Sequence, residues 1–277
     1  MPIPRLLRAL VYVLCALFAP SLSTQQQCSL PPKPLFLRLG NCTISPNSDY
    51  PNGVQSWGIQ VGLAPPMQNL CLEPSLVVNN TVIMATEICT NDNSSTLSQC
   101  ISRRGGLFNE NETTSDFVIA SQGDLSPDPV WDSFNPHFAM AANTTIQFPT
   151  DISLSSYPIA LAQAGQNSSV SQLGLANNSV FLRHLASAGL STGAGFSYLA
   201  GSQSVSNPRP GHIVFGGYDA ASLDGPFYNF TLSNTTTAGS RVCSLQVEVE
   251  QLVLSRPGLS DLPLVSGGTP MTSCIEP

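Results

Sequence analysis

The clearest pattern along the chain is an alternation of apolar and polar positions. In residues 243–250, Cys243, Leu245, Val247 and Val249 alternate with Ser244, Gln246, Glu248 and Glu250, the period of two expected of a half-buried strand. The phase slips at Gln251, and Leu252 and Leu254 take the opposite parity, as a bulge or turn allows. Shorter apolar or alternating runs predict strands at 35–39, 56–61, 70–72, 81–85, 144–148, 158–162, 196–200 and 212–215. Pro65-Pro66 predicts a turn after the 56–61 strand, because neither proline can donate to a ladder.

One stretch has helical spacing instead. Asn178-Ser179 suits an N-cap. Phe181, Leu182, Leu185 and Ala188 then form one apolar face. Gly189 is placed to end the helix as a left-handed cap, with Leu190 folding back on the last turn. Residues 28–51 and 121–138 are rich in turn-forming types. Strands outnumber helices, so the predicted class is mainly β.

The 277-residue chain is long enough for one large or two modest cores. Its start reads as a secretory signal, residues 1–23. Arg5 and Arg8 precede the apolar run 9–19, and Ser21 and Ser23 suit the positions before a cleavage site. The run is short for a bilayer span of about 20 residues, and no later stretch is apolar enough to cross. A secreted chain without a membrane span after signal removal is therefore expected.

Secretion brings oxidising conditions, in which cysteines pair. Loss of Cys15 with the signal leaves Cys28, Cys42, Cys71, Cys89, Cys100, Cys243 and Cys274. The number is odd, so one is free, bonded to another chain, or missing its partner. Cys89 and Cys100 bracket a polar loop and read as a small disulfide loop. Acceptor sequons occur at Asn41, Asn79, Asn93, Asn111, Asn143, Asn167, Asn177, Asn229 and Asn234. Many of these are expected on exposed loops.

The formal charge is −7, and Lys33 is the sole lysine. Nucleic acid requires basic patches to offset phosphates, and none is visible. There is no Gly-x-Ser-x-Gly elbow, phosphate loop or His-Glu-x-x-His pair. His137, His184 and His212 have no cysteine or carboxylate at ligand-like spacing, so no metal or cofactor is expected. His184 reads as a solvated or core-edge residue, Arg103-Arg104 as a solvated turn, and Glu248 and Glu250 as a solvated strand face.

Two stretches echo each other. Cys71-Leu72-Glu73-Pro74 and Cys274-Ile275-Glu276-Pro277 both run cysteine, aliphatic, glutamate, proline. Between them lie Ser171-Gln172-Leu173-Gly174-Leu175-Ala176, the helix with Phe181-Leu182-Arg183-His184-Leu185, Phe196-Ser197-Tyr198-Leu199, and Gly211-His212-Ile213-Val214-Phe215-Gly216-Gly217-Tyr218-Asp219. This order resembles the middle of pepsin-like aspartic peptidases, in particular divergent secreted forms of filamentous fungi. Val61-Gly62, Pro65-Pro66 and Gln68 resemble that family's Gly-Thr-Pro-Pro-Gln turn with extra residues. The Cys89/Cys100 loop with Phe108 and Thr113-Thr114-Ser115 extends the likeness over most of the mature chain.

The resemblance implies a bilobal acid-protease fold with a peptide or protein ligand in the cleft between lobes. The first lobe, residues 28–210, is expected to be essentially complete. The second, 211–277, is expected to be truncated. Each lobe should supply one Asp-Thr/Ser-Gly loop, and by position these fall on Glu73 and Glu276.

At both positions the chemistry departs from the family. Its reaction uses two close carboxylates sharing a proton, one as base toward water and one as acid toward the peptide carbonyl. Glutamate adds a methylene, displacing the carboxyl by ~1 Å, and misplacement of that order costs on the order of 100-fold. Pro74 and Pro277 lack the hydroxyl and N–H of the family's second loop residue. No tyrosine between Ser115 and Tyr157 can serve as a flap, leaving the segment around Trp131 to cover the cleft. The expected function is that of a secreted glycoprotein of this family without catalysis. The alternative is an acid-optimum endopeptidase using a Glu73/Glu276 dyad.

Overall fold

The computed structural model describes residues 33–44, 53–90, 96–113, 118–119, 125–126, 139–163, 170–202, 204, 206–223, 246–255, 258, 260 and 262–274. Residues 1–23, read above as a signal segment, Trp131 and Glu276 lie outside them. The described chain is mainly β. Its strands are β1 (Leu35–Ile44), β2 (Val54–Leu63), β3 (Gln68–Ser75), β4 (Val82–Met84), β5 (Val118–Ile119), β6 (Ala139–Gln147), β7 (Ser153–Ala162), β8 (Gln172–Gly174), β9 (Phe196–Leu199), β10 (Gly211–Phe215), β11 (Gln246–Leu254) and β12 (Leu262–Cys274). The helices are α1 (Glu87–Thr90), α2 (Leu97–Arg104) and α3 (Val180–Ser187).

The first ten strands form one mixed sheet in the order β5-β6-β7-β4-β8-β3-β2-β1-β10-β9. A further pairing of β6 with β2, Gly62 opposite Gln147 and Leu63 opposite Ile146, closes six of these strands into a ring. Inward-facing residues fill it, among them Ile59, Val61, Leu63, Leu72, Ile83, Ile146, Tyr157, Ile159, Leu161 and Leu173. Closure removes sheet edges that would otherwise stay unpaired.

Strand β1 changes partner along its length. Residues 35–39 pair with β10 and residues 40–44 with β2. Its buried positions shift parity at the same place. Leu35, Leu37 and Leu39 are buried in the outer half, and Gly40, Cys42 and Ile44 in the inner half. The domain boundary expected at residue 211 falls inside this sheet, because β10 completes the outer half of β1.

Helix α3 matches its sequence signals. Ser179 caps it by accepting the Leu182 N–H at 3.1 Å, and Phe181, Leu182 and Leu185 are buried. Gly189 has φ 68°. Gly189 N donates to Ala186 O at 3.1 Å and Leu190 N to Leu185 O at 3.0 Å, the paired bonds that close a helix on a left-handed glycine. Ala188 is exposed, not on the buried face.

Helix α2 corrects the reading of Arg103-Arg104 as a solvated turn. Thr96 and Gln99 form a reciprocal capping box, Gly105 ends the helix at φ 75°, and Arg104 is buried in its last turn. Strand β12 has no alternation in its sequence and is paired to β11, whose ladder shifts register between Val249 and Gln251. Leu252, Leu254, Leu262 and Leu264 of this hairpin are exposed.

Candidate functional site

The first Glu-Pro stretch closes β3. Parallel pairing with β8 puts Glu73 opposite Gln172, Pro74 opposite Leu173 and Ser75 opposite Gly174. Glu73 N donates to Ser171 O at 2.9 Å, and Leu175 N donates to Ser75 O at 2.8 Å. Leu72, Pro74 and Ser75 are buried, while the side chain of Glu73 is exposed. The missing N–H of Pro74 falls between these two bonds. Ser75 Oγ accepts from Val77 N at 3.4 Å.

Polar anchors brace the surrounding backbone. A Cβ at Gly174 would lie 2.5 Å from Asn80 O, so only glycine lets these segments meet. Ser179 Oγ donates to Gly174 O at 2.6 Å while capping α3. Asn79 Oδ1 accepts from Asn178 N, and Asn80 exchanges side-chain bonds with the Ser126 backbone. Ser171 Oγ accepts from Met84 N at 3.1 Å. The result is a rigid strand end, with one carboxylate projecting from it.

Although Glu73 is exposed as a residue, its carboxyl is partly desolvated at the strand end, and this pushes it above the usual carboxylate range. Tyr198 of β9 lies within reach of its charge. Burial raises the Tyr198 phenol first, and the negative charge of Glu73 raises it further. Glu276 lies outside the described residues, so the spacing between the two glutamates is not defined.

The sequence did not reveal the bond between Cys42 and Cys71, Cα–Cα 5.8 Å. It joins β1 to β3 across β2, and Gly58 makes room for it. A Cβ there would sit 2.9 Å from Cys71 Sγ and 2.6 Å from Leu72 O. The available signal was a glycine interrupting an alternating strand, which marks a close approach. The expected Cys89–Cys100 disulfide is present and ties α1 to α2. Cys28 and Cys243 lie outside the described residues.

A separate groove of about 570 Å³ opens on β1 and β2, lined among others by Trp57, Arg38, Arg209, Asn41 and Gln60; neither Glu73 nor Tyr198 lines it. His212 also has a neighbour that its spacing hid. Its Nε2 is 3.8 Å from Asp219 Oδ2, and its ring centroid is 4.8 Å from that of Phe36. Bonds from the Ser222 hydroxyl and the Ala221 N–H lower the Asp219 pKa, and His212 adds to them. His184 sits at the core edge, its ring against Tyr157.

Among the sequons, Asn41, Asn111 and Asn177 are exposed, Asn143 is partly exposed and Asn79 is buried. Asn93, Asn167, Asn229 and Asn234 lie outside the described residues. Among the described residues no group of three or more His, Cys, Asp or Glu is arranged to hold a metal ion. Among them, too, no helix is long and apolar enough to cross a membrane. No protein-family model and no curated protein matches the chain.

Proposed function

We propose that this chain is a secreted glycoprotein of the pepsin-like fold that has lost peptidase chemistry and acts by binding a peptide or protein. The carrying observation is the state of the first Glu-Pro stretch. Its backbone is committed to a ladder with β8, its proline offers neither hydroxyl nor N–H, and its only projecting acid is the longer glutamate. The order of segments behind the resemblance is present as β8, α3, β9 and β10. The two disulfides are compatible with an oxidising compartment.

Purified protein is expected to leave a denatured protein substrate intact between about pH 3 and pH 5, where a carboxylate dyad works. Cleavage blocked by a pepstatin-type inhibitor would overturn the proposal.

A second reading draws on the raised pKa of Glu73, the direction needed by an acid that holds its proton. Under it, Glu73 and Glu276 form a dyad and the protein is an acid endopeptidase. Glu73→Gln then abolishes an acid-optimum activity. Activity retained in that variant excludes this reading.

A further inference from the structure

Asn41 and Trp57 stand directly opposite each other on the antiparallel β1–β2 ladder. Directly opposed side chains share a sheet face, with Cβ atoms about 5 Å apart. Both line the groove of about 570 Å³, a volume within the roughly 300–1,000 Å³ of small-ligand sites. Asn41 is exposed and begins the sequon Asn41-Cys42-Thr43. Resting on the reading of the chain as a secreted glycoprotein, we infer that this groove seats the chain's own N-glycan at Asn41, with its first N-acetylglucosamine against Trp57.

The chemistry of the groove fits that occupant. Trp57 is half-buried, packed against the core and also exposed to the groove. The negative face of an indole attracts the C–H groups of a sugar ring. Gly40, where a Cβ would come within about 4 Å of Arg38 and Pro210, adds no side chain to the floor. Arg38 and Arg209 supply donors for acetamide and hydroxyl oxygens. No carboxylate is among the lining residues to form an ion pair with these arginines.

The tether supplies what the contacts alone do not. A sugar ring on an aromatic face binds weakly when free. Attached at Asn41, it meets Trp57 at a high effective concentration and at no cost in translational freedom. Asn111 and Asn177 are exposed but do not line the groove, so glycans there should extend into solvent.

The test uses the full chain secreted from a glycosylating eukaryotic host. Site-resolved mass spectrometry follows glycan release by an amidase. From native protein, release at Asn41 is expected to be about tenfold or more slower than at Asn111 and Asn177. After denaturation the three should match. Trp57→Leu, which keeps apolar bulk toward the core, and Arg209→Ala, on an exposed loop, should each narrow the native gap. Asn41 found bare while Asn111 and Asn177 are occupied, or equal release at all three in native protein, overturns the inference and leaves the glycoprotein reading standing. A secreted chain with no glycan on any asparagine overturns both.

Discussion

The hydroxyl of Tyr157 lies 2.7 Å from the hydroxyl of Thr81, and both residues are fully enclosed. Burial pushes the Tyr157 phenol far up, so it stays protonated and the pair remains a neutral hydrogen bond. Tyr157→Phe strips Thr81 of this partner inside the core and should cost about 1–3 kcal/mol. Thr81→Val should cost a similar amount. The double variant should lose less than the sum, since neither hydroxyl is then stranded. Urea unfolding of the four proteins measures this, and strictly additive losses would show that the bond contributes nothing.

The Cys42–Cys71 staple closes a longer loop than Cys89–Cys100, with sequence separations of 29 and 11. In the loop-entropy account the first is worth about 3.5 kcal/mol and the second about 3. Replacing Cys42 and Cys71 together by alanine should therefore lower the midpoint of thermal unfolding at least as far as the same change at Cys89 and Cys100. Gly58→Ala should also destabilise, by about 1–3 kcal/mol, because its Cβ would press on Leu72 O and the sulfur of Cys71. An unfolding midpoint for Gly58→Ala equal to that of the parent would contradict the close approach.

Glu73 should make stability fall as pH rises. Its folded-state pKa is raised by burial. Below the unfolded pKa both states hold the proton and the residue is neutral in effect. Above it the unfolded chain ionises first, so stability is lost until the folded pKa is passed. Glu73→Gln should match the parent at about pH 3 and exceed it at about pH 7. Denaturant midpoints at the two pH values decide the point; a variant less stable at the higher pH would reverse the sign.

Asn79 should be bare in folded protein made by a glycosylating host. Its side chain is buried and accepts the Asn178 N–H at 2.9 Å, and the Thr81 hydroxyl of the same sequon is spent on Tyr157. A glycan there has no space in the folded core. If the glycoprotein reading holds, peptide mapping is expected to find exposed Asn111 and Asn177 occupied and Asn79 unmodified. An occupied Asn79 in folded, secreted protein would contradict this packing.

Much of the sheet could be read from local pattern. The strands through Leu35, Val61, Ile83, Ile159 and Ile213 announce themselves by β-branched or alternating residues, and α3 by its Ser179 and Gly189 signals. The slip at Gln251 is where the β11 ladder shifts register. Other features are set by partners distant in sequence. Nothing local to β12, with its prolines and glycines, specifies a strand; its neighbour β11 does. The burial of Arg104 follows from α2 packing on β2 while its C-cap Gly105 accepts from Cys71 N of β3 at 2.7 Å. The pairing of Cys42 with Cys71 depends on strand order, which sequence spacing does not encode. For the candidate site, the pattern identified Glu73 and Pro74 but not Tyr198, which β9 brings within range of the Glu73 charge from far along the chain.

The divided loyalty of β1 has a consequence for biogenesis. Its inner half finds β2 within a few residues, but its outer half must wait for β10, since Leu35 pairs with Phe215. A nascent chain emerging from a ribosome therefore carries an apolar half-strand, Leu35, Leu37 and Leu39, without a mate until residue 215 has been made. Such late, long-range closure slows folding and exposes sticky segments meanwhile. Synthesis of this molecule should lean on chaperones until that last stitch is sewn.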